Sequence, residues 1–166
     1  KRCMVSQKAR PSLLARPYLL LDAMLLCTTM TGRYEYFEHT ADVGVKAYGS
    51  SLAEIFSEAA KGLTGIVCDL PTVRALEVRA ITVEAGDLEA LLVAWLSEML
   101  FYMDSEQLLL CEHEIEIERG WSLRSKSRGE RMDPERHGLK GGIKAVTYHM
   151  LEVDEGKGYA RVLLDV

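Results

Sequence analysis

The chain has 166 residues, enough for one domain with a substantial core, and its 48% hydrophobic and 27% charged content is ordinary for a globular protein. The net charge is −5, yet residues 1–30 carry Lys1, Arg2, Lys8, Arg10 and Arg16 against Asp22 alone, which leaves 15 basic and 24 acidic residues, net −9, in 31–166. That sign excludes a domain that grips a nucleic-acid backbone by itself, because phosphate contacts need Lys and Arg, and it suits cations or a basic protein partner.

Residues 1–30 read as an N-terminal extension and residues 31–166 as a single domain. The stretch 17–27 follows a basic segment and imitates a secretory signal. Asp22 interrupts it, however, and no small-x-small cleavage site follows, so Met30 is the better candidate for a start. No apolar run reaches the ~18–20 residues needed to cross a bilayer. Cys3, Cys27, Cys68 and Cys111 show neither CxxC nor metal-ligand spacing and read as reduced thiols of a cytoplasmic protein.

In chain order, residues 34–38 and 43–48 predict two short strands joined through His39-Thr40-Ala41-Asp42. Ser51-Leu52-Ala53-Glu54 is a capping box opening a helix with Leu52, Ile55, Phe56, Ala59, Leu63 and Ile66 on one stripe. Gly62 and Gly65 weaken its last turn and suggest where it stops. Leu76, Val78 and Ala80 alternate, then Ile81, Val83 and Ala85 alternate in the opposite phase, the pattern of a β-bulge. Asp87 is a good N-cap for a second, strongly apolar helix carrying Leu88, Leu91, Leu92, Trp95, Leu96, Met99 and Met103.

Cys111, His113, Ile115 and Ile117 alternate with Glu112, Glu114, Glu116 and Glu118, a half-buried strand with one solvated acidic face and a core or semi-buried His113. Residues 124–142 are polar and Gly-rich and predict a long exposed loop, of a length that is uncommon unless functional or mobile. Residues 143–153 and 159–166 form a last hairpin. Two helices among about seven strands predict an α+β sandwich, with the helices packed on antiparallel or mixed sheets.

Asp42 and Asp165 each place an acid at the edge of an apolar β pattern, and a terminal α-carboxylate on Val166 would follow Asp165 directly. Converging carboxylates repel unless protonated or bridged by a cation. Read singly, Asp42 is equally a turn residue bonded to its own backbone, and Asp165 equally a frayed strand end. His39 and His149 are candidates for proton transfer or metal binding. Lys144 follows the expected loop and displays an ammonium at its edge. No nucleophile with an oriented base, no GxGxxG, no GxxxxGK[ST] and no HExxH occurs. The residues alone therefore stop at an acidic α+β domain with a candidate oxygen-ligand cation site.

Three segments carry a resemblance. Tyr34-Glu35-Tyr36-Phe37-Glu38-His39-Thr40-Ala41-Asp42-Val43-Gly44-Val45-Lys46-Ala47-Tyr48-Gly49 resembles the opening of the archease family. So do Gly129-Glu130 with Asp133 and His137, Lys144-Ala145-Val146-Thr147-Tyr148-His149, and the ending Ala160-Arg161-Val162-Leu163-Leu164-Asp165-Val166. The likeness spans about 31–166; the extension and the Gly141-Gly142 stretch depart from it.

The resemblance implies an archease-type sandwich and a non-catalytic protein cofactor of the GTP-dependent RNA-splicing ligase that joins transfer-RNA halves. Such a cofactor speeds guanylylation of the ligase and allows multiple turnover. RNA is then met only through the ligase, and no membrane is involved. It also implies a divalent metal ion, calcium for choice, on Asp42, Asp165 and Val166, with His39, Lys144 and His149 as partner-contacting or supporting residues. Two rivals stay open: a general chaperone-like module for nucleic-acid-processing enzymes, and a small hydrolase using Asp42 and His39.

Overall fold

The computed structural model describes residues 32–39 and 42–166. The readings made above for the N-terminal extension, Cys3, Cys27, Met30, Thr40 and Ala41 lie outside the described residues. In order these form β1 (Arg33–His39), β2 (Asp42–Tyr48), α1 (Leu52–Val67), a 3-10 turn (Leu70–Thr72), β3 (Glu77–Glu84) and α2 (Leu88–Glu106). There follow β4 (Leu108–Glu118), β5 (Ser122–Arg131), the short α3 (Pro134–His137), β6 (Ala145–Asp154) and β7 (Tyr159–Asp165). One sheet has the order β1-β2-β7-β6 and the other β3-β5-β4, and every pairing in them is antiparallel. Helix α1 packs on β1, β2 and β7 of the first sheet and on β4 of the second, while α2 packs on β6 and on β3, β4 and β5. The helices are a middle layer between two sheets, an α+β fold. Among the described residues, no helix covers the outer face of either sheet.

That position explains why α1 is buried beyond its expected stripe. Ile55, Phe56, Ala59 and Leu63 are covered, and so are Ala60, Gly62, Thr64 and Gly65. The helix does not stop at its glycines but runs through them to Val67. A Cβ on Gly62 would lie 2.6 Å from Val45 Cγ1, and one on Gly65 would lie 2.5 Å from Tyr36 Oη. They are small because the sheet is close. Tyr36 Oη uses the approach to donate to Gly62 O at 2.9 Å. At the other end the Ser51 hydroxyl accepts from Glu54 N at 3.2 Å, as the capping box requires. The Glu54 carboxylate, however, reaches past Ser51 to accept from Ser50 N and Gly32 N, both at 2.6 Å. It therefore ties the start of β1 to α1 instead of closing the box.

Two further expectations are overturned. Residues 124–142 are not one long loop, because residues up to Arg131 belong to β5, the central strand of the second sheet, and α3 follows. Its inward positions are small and polar, Ser125 and Ser127, so the strand lacks the apolar alternation that usually betrays one. The serines are satisfied in a chain: Ser125 Oγ to Ser127 Oγ at 2.8 Å, and Ser127 Oγ to His113 Nδ1 at 2.9 Å. Burial pushes His113 down to about 3, so its imidazole is neutral at ordinary pH.

Nor does β3 carry a bulge; its register against β5 is unbroken from Glu77 to Glu84, and Leu76 and Val78 are simply exposed. The bulge lies in β4 between Leu110 and Glu112. Thr64 serves it: the Thr64 hydroxyl lies 2.9 Å from Leu110 O and 3.1 Å from Ala60 O, in a fully buried position. Thr64→Val is expected to lower unfolding free energy by about 1–3 kcal/mol in urea titration, because it strands a buried carbonyl. A midpoint equal to wild type would show that Leu110 O needs no partner.

Candidate functional site

Strand β2 alternates faces. Val45 and Ala47 are buried under the helices, and Asp42, Gly44, Lys46 and Tyr48 lie on the opposite, outer face. Register carries the pattern across the sheet. His39 of β1 pairs with Asp42, Asp42 pairs with Asp165 of β7, and Asp165 pairs with Ala145 of β6. One row across four strands thus brings the acids of the chain's second and last strands side by side. In the next row a Cβ on Gly44 would lie 2.1 Å from Phe37 Cζ, so the Phe37 ring lies down on Gly44 beside the acidic row.

Lys144, just before β6, closes the end of the row. Its N–H donates to Asp165 O at 2.7 Å, and its Nζ lies 2.7 Å from Val166 O and 3.6 Å from Asp165 Oδ1. The ammonium remains exposed, as expected, but it is paired with the acids and not held apart from them. On the other side His39 Nδ1 lies 3.9 Å from Asp42 Oδ2, too far for a hydrogen bond, and the rings of His39 and His149 are 5.4 Å apart. All six candidate residues, Asp42, Asp165, Val166, Lys144, His39 and His149, therefore meet at one end of one sheet.

The chemistry of this donor set suits a hard divalent cation: carboxylate oxygens with a positive charge already drawn against them. Among the described residues no three His, Cys, Asp or Glu side chains stand together as a ready-made ligand group, so a cation here would need a donor besides Asp42 and Asp165. The row also holds unused polar capacity. Among the described residues His39 Nδ1 is buried without a hydrogen-bond partner, and so is Thr147 Oγ1, whose residue faces Leu163, two residues before Asp165 on β7. Orphaned buried polar atoms ask for a partner that a ligand, ion or water supplies.

A second cluster gathers around Glu130. Glu130, 5% exposed, accepts from Arg74 N at 2.6 Å, from Arg74 Nη2 at 3.1 Å, and from Arg136 Nη1 at 2.8 Å. Arg136 Nη2 lies 2.7 Å away as well. His137 is fully buried; its Nδ1 accepts from Asp133 N at 2.9 Å, which leaves Nε2 to carry the proton toward Glu130 Oε1 at 3.2 Å. The Arg136 guanidinium, followed by the Arg74 and His137 bonds, holds the Glu130 carboxyl far below the usual carboxylate range. The cluster pins β5, α3 and the segment after the 3-10 turn together. Glu130 is the lone acid in a strand rich in Ser, Arg and Lys, and that is the signal the sequence offers.

Comparison with known proteins follows this geometry. Residues 34–166 match the model of the Archease protein family (MTH1598/TM1083). The chain is 39% identical over 140 residues to protein archease of Pyrococcus abyssi, covering 81% of this chain and 99% of that one. It is 37% identical to protein archease of Methanosarcina acetivorans, covering 81% and 96%. The solution structure of protein 1598 of Methanobacterium thermoautotrophicum superposes with a TM-score of 0.69 at 35% identity, over 80% of this chain and 98% of that one.

Proposed function

The chain belongs to the archease family, and we propose that it is an accessory protein of a GTP-dependent RNA-splicing ligase, promoting guanylylation and repeated turnover of that enzyme. The observation that carries the reading is the row at the end of β2 and β7, where Asp42 and Asp165 face each other beside Lys144, His39 and Val166. Asp42, Asp165 and the Val166 carboxylate would hold one divalent cation, calcium by donor type, through hard oxygen donors. The cation would supply a positive charge at an acidic edge. The protein's own part is to hold two carboxylates in fixed register and to keep Lys144 against them. The rest of the domain is acidic, which complements an enzyme that must show a basic surface to RNA. In this reading the protein does no chemistry on RNA by itself and meets RNA only through the ligase, in keeping with its membership of a family of accessory proteins.

The test measures both arms together. Asp42→Ala and Asp165→Ala should each weaken calcium binding in calorimetry at least about tenfold, roughly 1.4 kcal/mol. Each should also lower guanylylation of purified ligase at limiting metal. Lys144→Ala should leave metal binding in place and reduce activation through lost contact with the partner. Unchanged calcium affinity in both aspartate variants sinks the cation assignment. Full guanylylation without the protein present favours the chaperone-like alternative.

A further inference from the structure

The closing segment, residues 160–166, contributes Asp165 and Val166 to the candidate site, and it also carries Arg161. Strand β6 beside it is interrupted. Thr147 pairs with Leu163 and Glu152 with Arg161, so β6 spends four residues, 148–151, where β7 spends Val162 alone. A loop-out of that kind re-aims side chains. Within it Tyr148, His149 and Met150 are exposed, and Met150 has a φ of 54°. That is left-handed backbone, which a methionine keeps only when its surroundings hold it there.

The loop-out runs across the sheet. β1 and β6 are the two edges of the first sheet, with β2 and β7 between them at ~4.8 Å per strand. Even so, the ring of His149 lies 5.4 Å from that of His39 on β1. Residues 148–151 are therefore a strap that carries His149 inward over the outer face, toward the row of Asp42 and Asp165. Leu163 gives a second sign: it shares that face with Gly44, its partner in register, yet it is fully buried.

One side chain holds the strap. Arg161 Nε donates to Met150 O at 3.1 Å, at the left-handed residue itself, and Arg161 Nη2 lies 3.0 Å from Glu152 Oε2, where pairing resumes. Two acceptors thus use two different nitrogens of one planar guanidinium. On the other side Lys46 of β2 faces Arg161 in register with the same charge, and its Nζ lies 4.5 Å from the centre of the Tyr159 ring. Like charges directly opposite repel, which favours an Arg161 turned toward the strap.

We propose that Arg161 is a positioning residue of the candidate site: it pins the strap at Met150 so that His149 is held against His39, beside Asp42. Its effect on activation rests on the ligase-accessory reading, whereas its effect on the two rings rests on the strap alone. Arg161 acts through His149.

The test uses the full chain, calcium and purified ligase. In wild type a nuclear Overhauser contact should join the rings of His39 and His149. Arg161→Ala should abolish it and lower guanylylation about tenfold, the lower end for losing a residue that orients a metal site. Arg161→Lys keeps a cation beside Glu152 and so guards the fold. Its single nitrogen cannot serve both acceptors, and the ring contact should be lost there too. His149→Ala should match the activity loss of Arg161→Ala, and the double variant should lose no more, because the two act as one. A ring contact that is absent from wild type, persists in Arg161→Ala or returns in Arg161→Lys overturns the proposal. So do losses that multiply in the double variant, or full activation by Arg161→Ala where Asp42→Ala fails. If Asp42→Ala also activates fully, the ligase reading has failed instead, and the ring contact alone decides for or against Arg161.

Discussion

Gly129→Ala should be the most damaging single methyl in this protein, costing more than about 4 kcal/mol or preventing folding. A Cβ there would sit 1.8 Å from Leu109 O, 2.7 Å from Leu109 C and 2.8 Å from Leu110 Cα. All three are backbone atoms, and neither strand can retreat: β5 is held by β3 on its other side, and β4 is fixed by its bulge and by the Thr64 bond to Leu110 O. The contrast with Gly44 is instructive, since the atoms in the way there belong to a Phe37 ring that can swing aside. Gly86→Ala, with nothing within 4 Å, is the control and should leave stability within ~0.5 kcal/mol. A Gly129→Ala protein that unfolds at the wild-type denaturant midpoint would show that the β4 bulge is free to relax.

Glu130→Gln should cost about 3 kcal/mol at neutral pH, the lower end of the range for breaking a buried ion pair, because Arg74 is exposed enough to regain water. The substitution leaves Arg136 and the buried His137 facing a neutral amide that returns less charge-assisted bonding. The pH dependence separates the charge from mere shape. Glu130 has a folded-state pKa depressed well below its unfolded value near ~4.3. Its contribution is complete above that unfolded value and fades as pH falls from about 5 toward the folded value. The stability gap between wild type and Glu130→Gln should therefore be widest at pH 7 and clearly narrower at pH 3. Glu54, Glu114 and Asp154 also have lowered values, but they are present in both proteins and cancel from the difference. A gap of equal size at both pH values would mean that geometry, not ionisation, holds the cluster together.

The elements with plain apolar periodicity were legible in the sequence: the cap at Asp87, the buried face of α2, and the Cys111–Glu118 alternation all appear as read. What failed did so for physical reasons. Ser125 and Ser127 are buried because hydrogen bonds to each other and to His113 replace apolar burial, and composition cannot distinguish such serines from those of a loop. The phase change after Ala80 reads as a bulge from alternation alone, but an edge strand can instead leave Leu76 and Val78 exposed. Gly62 and Gly65 signal a close neighbour as readily as a helix end, and only the packed sheet decides between them. At the candidate site, the acids at 42 and 165 were visible as oddities of pattern. Their adjacency is a matter of strand order, which no local signal encodes. The neutralising contact of Lys144 and the orphaned His39 Nδ1 were legible only in three dimensions.

The pairing of Asp42 with Asp165 joins positions more than a hundred residues apart, and it has a kinetic consequence. Contacts between neighbouring segments, such as β4 with β5 or β6 with β7, close short loops and form early. The β2–β7 ladder must close a loop containing both long helices and the entire second sheet, which makes it among the slowest contacts to form. An intermediate with helices packed and hairpins formed would still lack the acidic row. If the row holds a cation as proposed, its affinity would trail the recovery of helical signal during refolding, so that the site reports on the assembled fold and not on any part of it.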